Sequence, residues 1–238
     1  MSTTTTTHRT IPPEAPRNRG FSRPETAVLL AAPVVLILGR SLLVPFDDQQ
    51  WGAMFATMAE HPTRNAIGWS LALFAAGLLA AAGLVLLRLV ADQPRLAVPA
   101  AVGIVTGWAG TAAIASGGLV MGDMAKSPDR DAMVAVLTGF NEGNGNTVFL
   151  LVLTGVLGNI LLAVALARSG RTSRGTAILF GVGAVGSLVA APGPARPVAL
   201  LAALLLLAAH LLVVRSLIDN RPNMSKQQPV ITPGSRKA

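Results

Sequence analysis

Two polar side chains stand deep inside apolar stretches of this 238-residue sequence and are the first candidates for chemistry. At a helical rise of 1.5 Å per residue, His210 and Asn159 both lie about 20 Å from the same end of their stretches. A histidine at this depth could relay protons, because imidazole titrates near neutral pH, or share a hydrogen bond with an asparagine on a facing helix. We favour the structural contact over the proton relay.

Arg40 is the third candidate, because an ionisable group within hydrocarbon is costly and marks a functional site by default. It lies about 22 Å from the start of the first apolar stretch, a turn or two from its far end. The favoured interpretation is an arginine that extends to the interface and pairs with Asp47 or Asp48. The alternative is an anion-binding group, with Arg40, Asn159 and His210 as the polar lining of one ligand cavity.

Several kinds of reactive centre are excluded. The sequence has no cysteine, so thiolate metal sites and cysteine nucleophiles are absent. Ser116 and His210 do not form a rhomboid-type dyad, because Ile114 replaces the required glycine and the two residues differ by more than about 15 Å in depth. Haem ligation lacks a second buried imidazole. The acidic loops lack metal-ligand spacing, so we predict no catalytic residue, metal or cofactor.

The composition indicates which elements must carry these side chains. Hydrophobic residues make up 52% and charged residues 13%, far less charge than a soluble domain has. A bilayer core about 30 Å thick needs about 20 apolar residues in helix, and six such runs are present. We therefore predict an all-α, polytopic transmembrane bundle with spans at 26–46, 66–91, 97–121, 147–167, 176–191 and 197–217.

The basic residues orient this bundle. Fourteen of the 19 fall in the tails, loops and adjoining span ends on one side of the predicted bundle, and four fall in the opposite loops. Because cytoplasmic segments retain positive charge, both termini are predicted to be cytoplasmic in a plasma-membrane protein. Residues 1–24 and 218–238 are predicted to be disordered basic tails around a transmembrane domain of residues 25–217.

The net charge of +8 would suggest nucleic acid in a soluble protein, but no recognition motif accompanies it. In a membrane protein this charge serves orientation and contact with anionic lipid headgroups at the cytoplasmic face. The predicted partners are therefore the bilayer and those headgroups, with a homo-oligomer or a membrane-complex subunit as a further candidate. No nucleic-acid partner is predicted.

Two outer loops are long enough to form helices, and one span has a packing motif. Residues 49–60 have apolar side chains at helical spacing, which predicts an amphipathic helix lying flat on the outer interface. A second helix is predicted to start after Ser127, before a turn over residues 140–146. Gly103 and Gly107 form a GxxxG step, which predicts close contact with another helix.

An ordered set of short motifs extends over most of the chain. The first span carries Arg40 and ends in Pro45-Phe46-Asp47-Asp48, and the next segment ends in Ala59-Glu60-His61-Pro62-Thr63-Arg64. The second span ends in Leu87-Arg88-Leu89, and Asp131-Ala132-Met133-Val134 follows later. In these features residues 25–217 resemble small six-span actinobacterial membrane proteins similar to the DUF4386-like group. The resemblance implies a fold and carries over no catalytic residue.

Two functional hypotheses remain. The favoured one is a non-enzymatic membrane protein that binds or transports a small or lipidic ligand, or that supports a membrane complex. The alternative is a membrane enzyme acting on a lipid-borne substrate at the outer face. Its candidate acids and bases are Asp47, Asp48, His61 and Asp123, which would have to reach one point.

Overall fold

The computed structural model describes residues 21–43, 51–143, 145–190 and 196–219. Most of both predicted tails, and the predicted Arg40 partners Asp47 and Asp48, lie outside these ranges. The described residues form eight α-helices and contain no strand, which confirms the all-α prediction. The helices are α1 (Arg23–Leu42), α2 (Trp51–Glu60), α3 (Pro62–Leu87), α4 (Pro94–Met124), α5 (Arg130–Gly143), α6 (Gly145–Ser169), α7 (Arg174–Val189) and α8 (Arg196–Asp219).

Five of these helices, α1, α3, α4, α6 and α8, are long and apolar enough to cross a membrane. The chain is therefore a membrane protein. The predicted fifth span forms α7, which is apolar but has only 16 residues. At 1.5 Å per residue it is about 24 Å long, several ångströms short of a typical hydrocarbon core.

Six helices form a closed ring: α1, α3, α4, α6, α7 and α8 each pack against the next, and α8 returns to α1. Neighbouring helices run antiparallel. At one end, here called the basic end, Arg88 after α3 forms an ion pair with Glu25 of α1. Arg171, between α6 and α7, donates to the Leu89 carbonyl at 2.8 Å there. The opposite end, called the loop end, carries α2 and α5.

Local sequence fixes where several of these helices start and stop. Pro62 and Pro94 occupy the first turns of α3 and α4, where a missing backbone N–H costs nothing. The Ser22 backbone N–H donates to the Glu25 carboxylate at 2.7 Å before α1. Gly170 follows α6 with φ +68°, a left-handed conformation that glycine adopts without steric cost. These signals set the helix boundaries at the two ends of the bundle.

The closest helix contact joins α4 and α6 through glycines on both sides. A Cβ atom placed on Gly103 would lie 2.6 Å from the Thr154 carbonyl oxygen and 2.7 Å from the Gly158 Cα atom. Gly107 meets Gly155 in the same way one turn along. The prediction of close packing at the GxxxG step is therefore confirmed, and a matching pair of glycines on α6 completes it.

The loop end is covered by α2 and α5, which form an apolar cap on α4. The helix predicted over residues 49–60 is present as α2. Its Met54, Phe55 and Met58 side chains are buried against Met121 of α4 and Ala125, the residue that follows α4. Its apolar face therefore packs on the protein, because α4 projects beyond the predicted span to meet it.

The helix predicted after Ser127 is present as α5 and begins at Arg130. The Asp129 carboxylate accepts the Ala132 backbone N–H at 3.1 Å before its first turn. The predicted turn over residues 140–146 starts too early, because α5 continues to Gly143 despite the glycine and asparagine content. Only residue 144 lies between α5 and α6.

Candidate functional site

Arg40 lies in the last turn of α1 at the loop end, and its side chain is buried, with 7% exposed. One terminal nitrogen, Nη1, donates to the Ala199 carbonyl of α8 at 3.0 Å, and Nη2 donates to the Ser187 carbonyl of α7. No carboxylate within the described ranges pairs with it. One guanidinium thus joins three helices.

The Ser187 contact has a clear physical reason. The last four carbonyls of a helix have no partner within the helix, and Ser187 lies in the last turn of α7. In a bilayer an unsatisfied carbonyl costs several kcal/mol, because no water is present to replace the partner. Arg40 therefore supplies a hydrogen-bond donor where the short helix α7 ends.

Two further arginines reach the end of α1 from neighbouring helices. Arg64 of α3 donates from Nε to the Leu42 carbonyl at 3.0 Å, and Arg196 of α8 donates from Nη2 to the Ser41 carbonyl. These carbonyls also belong to a helix C-terminus, where positive charge is favourable. We call Arg40, Arg64 and Arg196 the arginine cluster. It brings three cations from three helices to one helix end, and no described carboxylate pairs with any of them.

His210 and Asn159 are buried at helix interfaces, with 1% and 2% exposed. The His210 Nδ1 atom lies 2.8 Å from the Leu206 carbonyl one turn earlier in α8 and donates to it, and the ring meets Phe180 of α7 edge-on at 5.8 Å between centroids. Asn159 donates from Nδ2 to the Gly155 carbonyl of its own helix at 2.8 Å. Each side chain thus has a partner within its own helix.

The structure does not bring the three predicted site residues together. Arg40 lies in the last turn of α1 at the loop end, whereas His210 and Asn159 lie 14 residues, or about 21 Å, from the loop-end starts of α8 and α6. Helix α7 packs between α6 and α8 in the ring. A small ligand that contacts Arg40 is therefore out of reach of the other two side chains.

A different pair of polar side chains was missed by sequence reasoning. Asn65 and Trp69, in the first two turns of α3, are buried, with 1% and 4% exposed. The Asn65 Oδ1 atom and the Trp69 Nε1 atom have no hydrogen-bond partner. Asn65 directly precedes the predicted second span. The available signal was its spacing of four residues from Trp69, which places both on one helix face.

The side chains of the enzyme hypothesis do not form an acid–base pair among the described residues. His61 is exposed before α3. Asp123 is exposed at the end of α4 and pairs with Lys126 at 2.7 Å. Asp47 and Asp48 lie outside the described ranges. An open surface depression at this end is lined by 126–129 and Asp131, and no group of three potential metal ligands occurs in the described part of the chain.

No family model, curated protein or solved structure matches the chain. The similarity to the DUF4386-like group therefore stays a prediction.

Proposed function

We propose that the chain is a non-enzymatic plasma-membrane protein with six spans and both termini in the cytoplasm, which binds an anionic group on the outer side. The phosphate or carboxylate belongs to a lipid or to a soluble molecule. The arginine cluster at the loop end is the observation that carries this proposal.

The position of α7 in the ring supports counting it as a span, which brings the total to six. It packs between α6 and α8, antiparallel to both, so the chain returns to the loop end before α8 begins. Arg40 donates a hydrogen bond to a carbonyl at the end of α7. This contact supports α7 as a membrane span although its length is about 24 Å and a typical hydrocarbon core is about 30 Å thick. With six spans, both tails lie at the basic end, and the fourteen-to-four distribution of basic residues makes that end cytoplasmic.

Anion binding is supported by the chemistry of the cluster. Each guanidinium has five N–H donors in a planar fork that matches phosphate and carboxylate, and the observed contacts use one or two of them. Arg196 is half-buried and Arg64 is exposed, so a headgroup in the outer leaflet can reach them, while Arg40 lies behind. A guanidinium stays protonated in proteins and so does not serve as a general base. The arrangement therefore favours binding over catalysis.

Lipid titration of the purified protein in detergent tests this proposal. The probes are dioctanoyl phosphatidylglycerol, which is anionic, and dioctanoyl phosphatidylcholine, which is zwitterionic and has the same chains. Inorganic phosphate and decanoate distinguish a soluble anion and a carboxylate from a phospholipid headgroup. Of the two lipids, we expect only the anionic one to raise the unfolding midpoint, because a ligand that binds only the folded state stabilises it.

The test variant is Arg64→Gln with Arg196→Gln, which leaves the buried Arg40 in place. The matched control is Lys126→Gln, which removes an exposed cation at the same end that already pairs with Asp123. We expect the double variant to weaken phosphatidylglycerol binding at least 10-fold and the control to keep wild-type affinity. Equal responses to both lipids together with no response to inorganic phosphate or decanoate, or an equal loss in the control, would refute the proposal.

A further inference from the structure

The unpartnered atoms of Asn65 and Trp69 are an energetic anomaly in the α3–α4 interface. A buried polar atom without a hydrogen bond costs about 1–3 kcal/mol, and here an acceptor and a donor are both unpaired. Residues four apart on a helix have Cβ atoms about 5–6 Å apart on the same face. The two side chains therefore lie on one face of α3, which offers one acceptor and one donor.

Two glycines of α4 face this pair. Gly118 lies directly under the Trp69 ring, and a Cβ atom on Gly122 would lie 2.9 Å from the Asn65 Nδ2 atom. Larger residues at these two positions would displace both side chains. The two glycines of α4 thus leave room for Asn65 and Trp69 to be buried, although α4 supplies neither side chain with a hydrogen bond.

An adaptable apolar cap packs on the same end of α4 as Gly122, the residue that faces Asn65. Met121 of α4, one residue before Gly122, is part of the cluster that buries Met54, Phe55 and Met58 of α2. Methionine is unbranched and polarisable, so methionine-rich surfaces repack around apolar molecules of different shape. Helix α2 is only ten residues long and has far fewer contacts with the ring than the long helices have with one another. The cap is therefore the part of the loop end best able to admit an apolar chain.

We propose that an apolar molecule bearing a hydroxyl group binds here, with its hydroxyl between Asn65 and Trp69 and its apolar part among the methionines of the cap. A hydroxyl both donates and accepts, so one oxygen donates to Asn65 Oδ1 and accepts from the Trp69 Nε1–H. An ammonium group only donates and a carboxylate only accepts, so each would leave one atom unpaired. The site is separate from the arginine cluster and selects a neutral group.

The experiment uses the full chain, labelled with 5-fluorotryptophan, in phosphatidylcholine nanodiscs. Phosphatidylcholine is chosen because it has no hydroxyl group. The Trp69 fluorine resonance is assigned by its loss in Trp69→Phe. 1-Decanol is titrated against decane, which has the same chain without the hydroxyl. We expect decanol to shift the Trp69 resonance saturably and decane to leave it unchanged.

Asn65→Leu removes the acceptor at similar volume, and we expect it to weaken decanol binding about 5-fold or more, the equivalent of one hydrogen bond. Asn159→Leu is the matched control, because Asn159 is equally buried but already donates within its own helix. It should keep wild-type affinity.

The unfolding midpoint gives a second readout should Asn65→Leu fail to fold. Decanol is expected to raise the midpoint of the wild type, and this rise should be lost in Trp69→Phe, which keeps the aromatic ring but not the donor. Equal effects of decanol and decane, no saturable shift, or unchanged decanol affinity in the variants would each overturn the proposal. The first two outcomes would mean that water alone occupies the site.

Discussion

Replacing Gly103 with alanine should strongly destabilise the protein, because the glycine contact between α4 and α6 has no room for a methyl group. The new Cβ atom would lie 2.6 Å from the Thr154 carbonyl oxygen and 2.7 Å from the Gly158 Cα atom, whereas ordinary contact begins at 3.4 Å. Both neighbours are backbone atoms, so no side chain can rotate away. The two helices must separate by a large fraction of an ångström along the interface.

The expected cost follows from this separation. A radial gap of about 0.5–1 Å already forfeits a quarter to a half of the dispersion energy of each atom pair. Overpacking in a well-packed core typically costs about 1–3 kcal/mol. Because the obstruction is backbone on both sides, we expect a loss near the upper limit, about 3 kcal/mol.

Unfolding by dodecyl sulfate in mixed micelles, followed by circular dichroism, measures this loss. Gly117→Ala is the matched control on the same helix, because a Cβ atom there meets nothing within 4 Å. The control should be neutral or stabilising by up to about 1 kcal/mol, since alanine is the better helix former. A stability of Gly103→Ala within about 0.5 kcal/mol of the control would refute the interface described above.

Three further predictions test the loop end and the topology. Arg40→Gln should lower stability by about 3 kcal/mol in the same titration, because the Ser187 carbonyl at the end of α7 loses its donor and the Ala199 carbonyl loses a second hydrogen bond. A loss no greater than that of Arg64→Gln would contradict this role. The chain has no cysteine, so single cysteines can be labelled selectively. Ser127→Cys should react with an impermeant maleimide on intact cells and Ala238→Cys only after lysis. Labelling of both on intact cells would contradict six spans. Phe55→Ala should speed amide hydrogen exchange in α2 on the order of 100-fold while the unfolding midpoint changes little, and unchanged exchange would show that Phe55 does not hold the cap.

The spanning helices were predictable because the bilayer imposes length and hydrophobicity together. Their ends were less accurate, since helices continue beyond the apolar run that reveals them. The third predicted span covered residues 97–121, whereas α4 runs from Pro94 to Met124, and its last turn supports the α2 cap. Hydropathy reports where lipid begins, and hydrogen bonding and capping decide where the helix ends.

The site was less predictable because it depends on register between distant segments. Arg64 and Arg196 were counted as loop charges, and nothing local indicates that they donate to carbonyls 22 and 155 residues away. Asn65 and Trp69 show the same limit. Their spacing gives a shared face, but the alignment of that face with Gly118 and Gly122 is a property of the packed helices.

Arg40 lies near the end of its span, as predicted, but its predicted partners Asp47 and Asp48 lie outside the described residues, so that pairing stays a prediction. Within the described residues Arg40 donates to two carbonyls, and such bonds leave its charge in place. Because Arg64 and Arg196 also donate to carbonyls, the same contacts that end α1 and α7 concentrate positive charge at the loop end. Helix capping and anion binding are therefore compatible uses of one cluster. The double substitution Arg64→Lys with Arg196→Lys tests whether the guanidinium shape matters for anion binding. Lysine keeps the charge and loses the planar fork that matches an oxyanion. We expect such a variant to fold and to bind phosphatidylglycerol more weakly than the wild type, and unchanged binding would show that charge alone suffices.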